Sequence, residues 1–191
     1  MEQMQLKKKQ KLFDGMSHFL KRPGVEDIFI FGSFVKGKDT PGDIDICLSM
    51  EGSNGSLTEE IAAFLKKEAG LSAHFTRTRF ALMLADRELW KSIFHEAYSI
   101  RHKGFVAKLM GLEPFVLAEY SLKGLSLSQK QIFSHALNGT GGRESFLKDI
   151  NAKRIGRGAM IIPNESVEKA RSFLDTWKAD YGFKRIYSEG F

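Results

Sequence analysis

Residues 28 to 46, IFIFGSFVKGKDTPGDIDI, constrain the fold more than any other stretch of the chain. A run of β-branched and aromatic residues ends in a Gly-Ser turn. A second apolar run follows, and it carries two aspartates one residue apart. Side chains at i and i+2 of a strand share a face, so Asp43 and Asp45 point together while Ile44 and Ile46 face the core. Two carboxylates fixed about 6–7 Å apart along a strand repel one another unless a cation compensates them. The pattern predicts buried strands over Asp27–Phe31 and Ile44–Met50, the second bearing an acidic pair.

Around these strands the periodicity supplies helices. Residues 2–21 read as a basic amphipathic helix, with Leu6, Phe13, Met16, Phe19 and Leu20 at helical spacings and KRPG ending it. Its Lys-Lys-Lys run reads as a solvated face or as a contact to a nucleic-acid backbone. Ser56 and Glu59 have the spacing of a capping box, opening a helix whose buried stripe is Leu57, Ile61, Phe64 and Leu65. LSAHFTRT predicts a third strand, and FALMLADRELWKSIFHEAYSI predicts an apolar segment and a helix before a short strand near Ser99–His102.

The stretch GLEPFVLAEYSLKGL keeps no clean period, so residues 105–125 are expected to link a first domain, 1–104, to a second, 126–191. In the second, Ser126 and Gln129 repeat the capping box before a helix with Ile132, Phe133, Ala136 and Leu137 on one side. A short helix near Glu144–Asp149, a strand IGRGAMII stopped by Pro163, a helix burying Val167, Ala170, Phe173, Leu174 and Trp177, and a closing strand FKRIYSE complete it. The expected class is α+β, a mixed sheet flanked by helices with a small basic α+β domain at the C-terminal side.

Composition narrows the setting. A chain of 191 residues buries a core without disulfides, and its single cysteine, Cys47, reads as a buried filler in the second strand. That usage fits a reducing cytoplasm, where we expect the protein to reside. No apolar run approaches the roughly 20 residues that span a bilayer, and the first residues lack a signal-peptide core, so neither membrane insertion nor export is expected. The net charge is +6, from 16 basic against 14 acidic residues up to Gly104 and 13 against 9 beyond it. The second part is the more basic, which favours phosphate-bearing partners or serves solubility.

The acidic pair suits magnesium, a hard cation that takes one or two carboxylates together with waters and substrate phosphates. Gly32 permits close backbone approach, Ser33 offers a hydroxyl and an N–H at a helical turn, and Lys36 and Lys38 add positive charge. Together these parts suit a metal–nucleoside triphosphate and a phosphoryl or nucleotidyl transfer. The segment FGSFVKGKDTPGDIDI resembles the signature of the DNA polymerase β-like nucleotidyltransferase superfamily, closest to its minimal nucleotidyltransferases, over roughly residues 10–104. The resemblance implies a nucleotidyltransferase fold, Gly32 and Ser33 on the triphosphate, and Asp43 and Asp45 on two magnesium ions. It further implies a third carboxylate on the next strand, and His74 occupies that position. A neutral imidazole serves as a base or binds a transition metal but is a poor magnesium ligand, and His74 also reads as a structural or RNA-facing histidine.

In the second unit Lys148, Lys153, Arg154 and Arg157 surround a helix-to-strand turn, a pattern suited to RNA phosphates. Phe183 and Tyr187 alternate with Lys184 and Arg185, either stacking bases or packing the core. Three readings stand from sequence. The first is a magnesium-dependent enzyme moving a nucleoside monophosphate, AMP first among them, from a triphosphate to a protein or RNA hydroxyl. The second is a catalytically impaired RNA- or ribosome-binding module on the same fold. The third is an antitoxin-like partner of a helical toxin chain.

Overall fold

The two apolar runs form β1 (Val25–Phe31) and β2 (Asp43–Met50), antiparallel neighbours in register from Ile28 opposite Leu48 to Phe31 opposite Asp45. This arrangement comes from a computed structural model that describes residues 2–36, 42–52, 55–79, 82, 85–141 and 144–189, and for residues 2–8 the backbone alone. The chain divides into two compact units, Met1–Met110 and Gly111–Phe191.

In unit 1, α2 (Gly55–Ala69) carries the chain back so that β3 (Ser72–Thr78) joins β2 in parallel, a pairing that requires such a crossover. The free edge of β1 takes β4 (Tyr98–Ser99), and β5 (Gly104–Phe105) follows, giving the order β3-β2-β1-β4-β5. The sheet is mixed and has helices on both faces. Ile28, Ile30, Ile44, Ile46 and Leu48 are fully buried in one cluster with Met16 of α1 (Glu2–Met16) and Leu57, Ile61 and Leu65 of α2. On the opposite face Phe29 and Cys47 pack against Ile93 and Ala97, at and just beyond α3 (Arg87–Glu96). Alternating strand residues feed these two cores, which is why both strands read as nearly continuous apolar runs.

Unit 2 packs helices on an antiparallel sheet of order β7-β8-β6-β9, built from β6 (Glu113–Ser121), β7 (Lys153–Gly156), β8 (Ala159–Pro163) and β9 (Asp180–Ser188). Its core joins Val116, Ala118 and Tyr120 of β6 to Phe133 and Leu137, and to Ala170 and Leu174 of a later helix. The helices are α5 (Leu127–Asn138) and α7 (Val167–Thr176); the short α4 (Val106–Leu109) closes unit 1, and α6 (Phe146–Asp149) lies between α5 and β7.

Four expectations are corrected. The helix expected over 2–21 ends at Met16 and continues as a 3-10 segment, Ser17–Lys21. The expected linker 105–125 holds α4 and all of β6, the strand to which both β8 and β9 pair. The single strand IGRGAMII is a hairpin, because the chain turns at Arg157–Gly158. Ser56 lies inside α2 and its hydroxyl donates to Glu60, whereas Ser126 and Gln129 form the reciprocal capping box.

Candidate functional site

The register of β2 and β3 assembles the site. Asp45 stands opposite His74 across the parallel pair, and Asp43 opposite Ser72. His74 Nδ1 lies 3.5 Å from Asp43 Oδ2 and 3.7 Å from Asp45 Oδ1, so the imidazole sits between the two carboxylates. Ile44 and Ile46 are fully buried, which fixes the aspartates on the other side of the strand, half-buried.

Gly32 closes the site from β1. Its φ is +78°, and a Cβ there would stand 2.0 Å from Asp45 Oδ2. The Asp45 carboxylate thus stands where a side chain at position 32 would lie, so the turn requires glycine. Ser33 is half-buried in the turn 33–36, where the Lys36 N–H donates to Gly32 O at 3.4 Å. Lys9 of α1 anchors this turn: its Nζ donates to Phe34 O at 2.9 Å and lies 5.2 Å from the centre of the Phe34 ring. Burial lowers the pKa of Lys9 below its ordinary value.

The electrostatics are those of an under-compensated acidic centre. Burial raises the Asp45 pKa above the usual carboxylate range, the charges of Asp43 and Glu96 push it further, and His74 opposes them. Glu96, at the end of α3, is buried and pairs with Lys36 at 2.8 Å. Lys36, expected to neutralise phosphate, is thus engaged by a carboxylate that sequence reading missed. Among the described residues neither Asp43 nor Asp45 is paired with a lysine or arginine. Nor do three or more His, Cys, Asp or Glu side chains there converge as a complete metal cage. Two hard carboxylates on one face fit a magnesium ion that keeps water and phosphate in its remaining positions.

A family model matches residues 5–108, which is more than half of the chain and nearly all of unit 1. The chain belongs to the DUF6932 family, a family of unknown function. No curated protein and no solved structure matches it. The family match therefore takes in Gly32, Asp43, Asp45, His74 and Glu96, and leaves unit 2 outside.

Within the DUF6932 region, two acidic residues at the start of α3 serve local structure. Asp86 caps α3 by accepting from the Leu89 N–H at 3.0 Å, and Glu88 pairs with Lys91 at 2.7 Å. Cys47 is fully buried, and its thiol is pushed up to about 12 by burial, with Asp27 and Asp86 adding to the effect, so it is inert. Lys38 lies outside the described residues.

Beyond the DUF6932 region the basic residues are dispersed more than the sequence implied. Lys153 and Arg154 lie on the fully exposed β7, with Arg157 in the turn after it. Lys148 instead lines a separate cavity of about 560 Å³ with Glu144 and Asp149. Phe183 packs against the second core beneath the Arg171 guanidinium, 5.0 Å from its ring centre, and Lys184 pairs with Glu119 at 2.5 Å. Of the two aromatics offered for stacking, Tyr187 alone is exposed.

Proposed function

We propose that unit 1 is a nucleotidyltransferase of the polymerase β-like type, moving a nucleoside monophosphate, AMP first among them, from a nucleoside triphosphate to a hydroxyl of a protein or RNA. The observation that carries this reading is the placement of Asp43 and Asp45 on one face, beside His74 and with no lysine or arginine to neutralise them. Like charges gathered in a half-buried position cost stability unless a ligand uses them, which is the common condition of a catalytic site.

Asp43 and Asp45 would hold magnesium, and that ion, when bound, supplies charge neutralisation at the transferring phosphoryl group. The turn 33–36 offers Ser33 to the phosphates. His74 accepts the proton of the attacking hydroxyl through its imidazole. The oxygen of that hydroxyl bonds to the α-phosphorus as the bond to the β-phosphate bridge breaks and pyrophosphate leaves. The flanking carboxylates then stabilise the imidazolium, as an aspartate does for a catalytic histidine elsewhere. His74 thereby takes the proton-accepting part of the third carboxylate, while two carboxylates remain for metal.

The test is incubation with ATP labelled on its α-phosphate and magnesium, comparing wild type with Asp43→Ala plus Asp45→Ala. Transfer of label by the wild type and its loss in the variant, at unchanged fold by circular dichroism, supports the reading. Equal labelling in both removes it. A second reading, an RNA- or ribosome-binding module without chemistry, is favoured by His74 in a carboxylate position and by the exposed Lys153, Arg154 and Arg157. Silence of both proteins with ATP, joined to equal and steeply salt-dependent RNA binding, selects that module.

A further inference from the structure

In unit 2 a cavity of about 290 Å³ opens between β6, α5 and the turn of the β7–β8 hairpin. Its walls combine Leu122, Phe133 and Leu137 with three cations, Lys130, Arg154 and Arg157, and no carboxylate stands among its described lining residues. Tyr120 also faces it. The Tyr120 side chain is more than nine-tenths buried, yet its hydroxyl has no hydrogen-bond partner among the described residues. A buried hydroxyl left without a partner costs about 1–3 kcal/mol, so such a group signals a missing ligand or water.

The backbone holds these groups in place. Tyr120 N–H donates to Gly158 O at 2.8 Å, and a Cβ at Gly158 would stand 2.6 Å from Tyr120 O, so only glycine lets the hairpin turn close against β6. Arg154 clasps the same turn, its Nε donating to Gly156 O at 2.7 Å and a terminal nitrogen to Arg157 O at 3.3 Å. Its remaining N–H groups are left for a ligand. Neither Lys130 nor Arg157 is held in an ion pair among the described residues.

We propose that this cavity binds a phosphate monoester, with Arg154, Arg157 and Lys130 on the phosphate oxygens, the Tyr120 hydroxyl donating to one of them, and the sugar against Phe133 and Leu122. Arginine forks and a lysine around one dianion are the donor set such a group requires. The volume lies just below the usual range for small-molecule sites, which suits one phosphorylated sugar or mononucleotide rather than a helical nucleic acid. The chemistry is shared by a free mononucleotide and the 5′-phosphorylated end of an RNA strand. Its described lining residues all belong to unit 2, and the test keeps its binding apart from that of the acidic centre of unit 1.

Binding is measured on the full chain carrying Asp43→Ala and Asp45→Ala, in EDTA, so that metal-held nucleotide in unit 1 makes no contribution. The probes are AMP, adenosine, and a hexaribonucleotide with either a 5′-phosphate or a 5′-hydroxyl. We expect AMP to bind at least about tenfold more tightly than adenosine, and Arg157→Gln or Lys130→Gln to weaken AMP by roughly tenfold, the scale of one charge-assisted hydrogen bond. Tyr120→Phe should weaken it several-fold while leaving the melting temperature unchanged or higher, because the deleted hydroxyl has no protein partner to lose. A 5′-phosphate preference of the hexamer points to an RNA end; preference confined to AMP points to the free nucleotide. Equal binding of AMP and adenosine, or AMP binding untouched by both charge substitutions, overturns the proposal.

Discussion

Asp27 and Asp45 lie on neighbouring strands of the same sheet, and their surroundings are opposite. Asp27 is buried, and its oxygens accept from Ile28 N–H at 2.7 Å, Ser99 Oγ at 2.5 Å and Arg101 N–H at 3.0 Å. Burial first, then the charges of Asp43 and Glu96, raise the pKa of the half-buried Asp45, and the imidazole of His74 lies 3.7 Å away. Donors convert the first carboxylate into a joint between β1 and the β4 region. Like charges make the second a position that gains from a cation. Burial alone does not distinguish a structural from a functional carboxylate; the count of donors does.

The contrast breaks most readily at Asp27. Asp27→Ala strands two backbone N–H groups and a serine hydroxyl, and we expect a loss of about 3–4 kcal/mol in urea unfolding. A loss under about 1 kcal/mol would mean that water replaces the carboxylate, and the joint would not be structural. Next is Gly32→Ala, where a left-handed backbone and a Cβ 2.0 Å from Asp45 Oδ2 coincide. An expected cost of about 2–4 kcal/mol, read from the same unfolding curves, combines the conformational and overpacking penalties.

Ser99→Ala probes the Asp27 joint from its other side. Ser99 donates to Asp27 and accepts the His102 N–H at 3.0 Å, so its loss should cost about 1–2 kcal/mol. In a double-mutant cycle with Asp27→Ala, this effect should shrink.

The smallest effect has the opposite sign. The folded-state pKa of Asp45 lies above that of the unfolded chain, so the folded protein holds the proton more tightly. Its penalty is therefore absent below the unfolded carboxylate value, grows as pH rises through the folded one, and is constant above. Asp45→Asn should raise the melting temperature slightly at pH 7 and lose that advantage toward acid, the gain being damped by solvent at this half-exposed position. Magnesium should raise the melting temperature of the wild type and leave that of Asp45→Asn unmoved. Destabilisation by Asp45→Asn at pH 7 would erase the distinction from Asp27.

Much of the site was legible because its parts are close in sequence or set by strand periodicity. The Gly32 turn follows from the Gly-Ser pair between two apolar runs, and the shared face of Asp43 and Asp45 and the buried Ile44 and Ile46 follow from period two. His74 was placed beside the pair only by the resemblance, which implies a third site position on the next strand; that this strand runs parallel to β2 and sets His74 opposite Asp45 is a fact of the structure. Glu96 was not legible: it ends a helix whose position against Lys36 depends on how α3 packs on the sheet. Asp27 was hidden likewise, since Ser99 lies 72 residues away. The strand β6 escaped because both its faces are apolar, with Phe115 and Leu117 half-buried opposite Val116, Ala118 and Tyr120, so no alternation marks it.

The sequence by itself determined β1, β2 and β3 of unit 1, the acidic pair and its orientation, the capping box at Ser126 and the burial of Cys47, whereas the short strand expected near Ser99–His102 lies at Tyr98–Ser99 and β5 was not foreseen. Local sterics and side-chain periodicity suffice for each. Tertiary structure alone decided that the Asp45 carboxylate stands where a side chain at position 32 would lie, that Lys36 answers to Glu96, and that Tyr120 shares a cavity with three cations drawn from a helix and a hairpin. Those outcomes depend on contacts between segments distant in the chain, where the energy belongs to the pair and neither residue announces its partner.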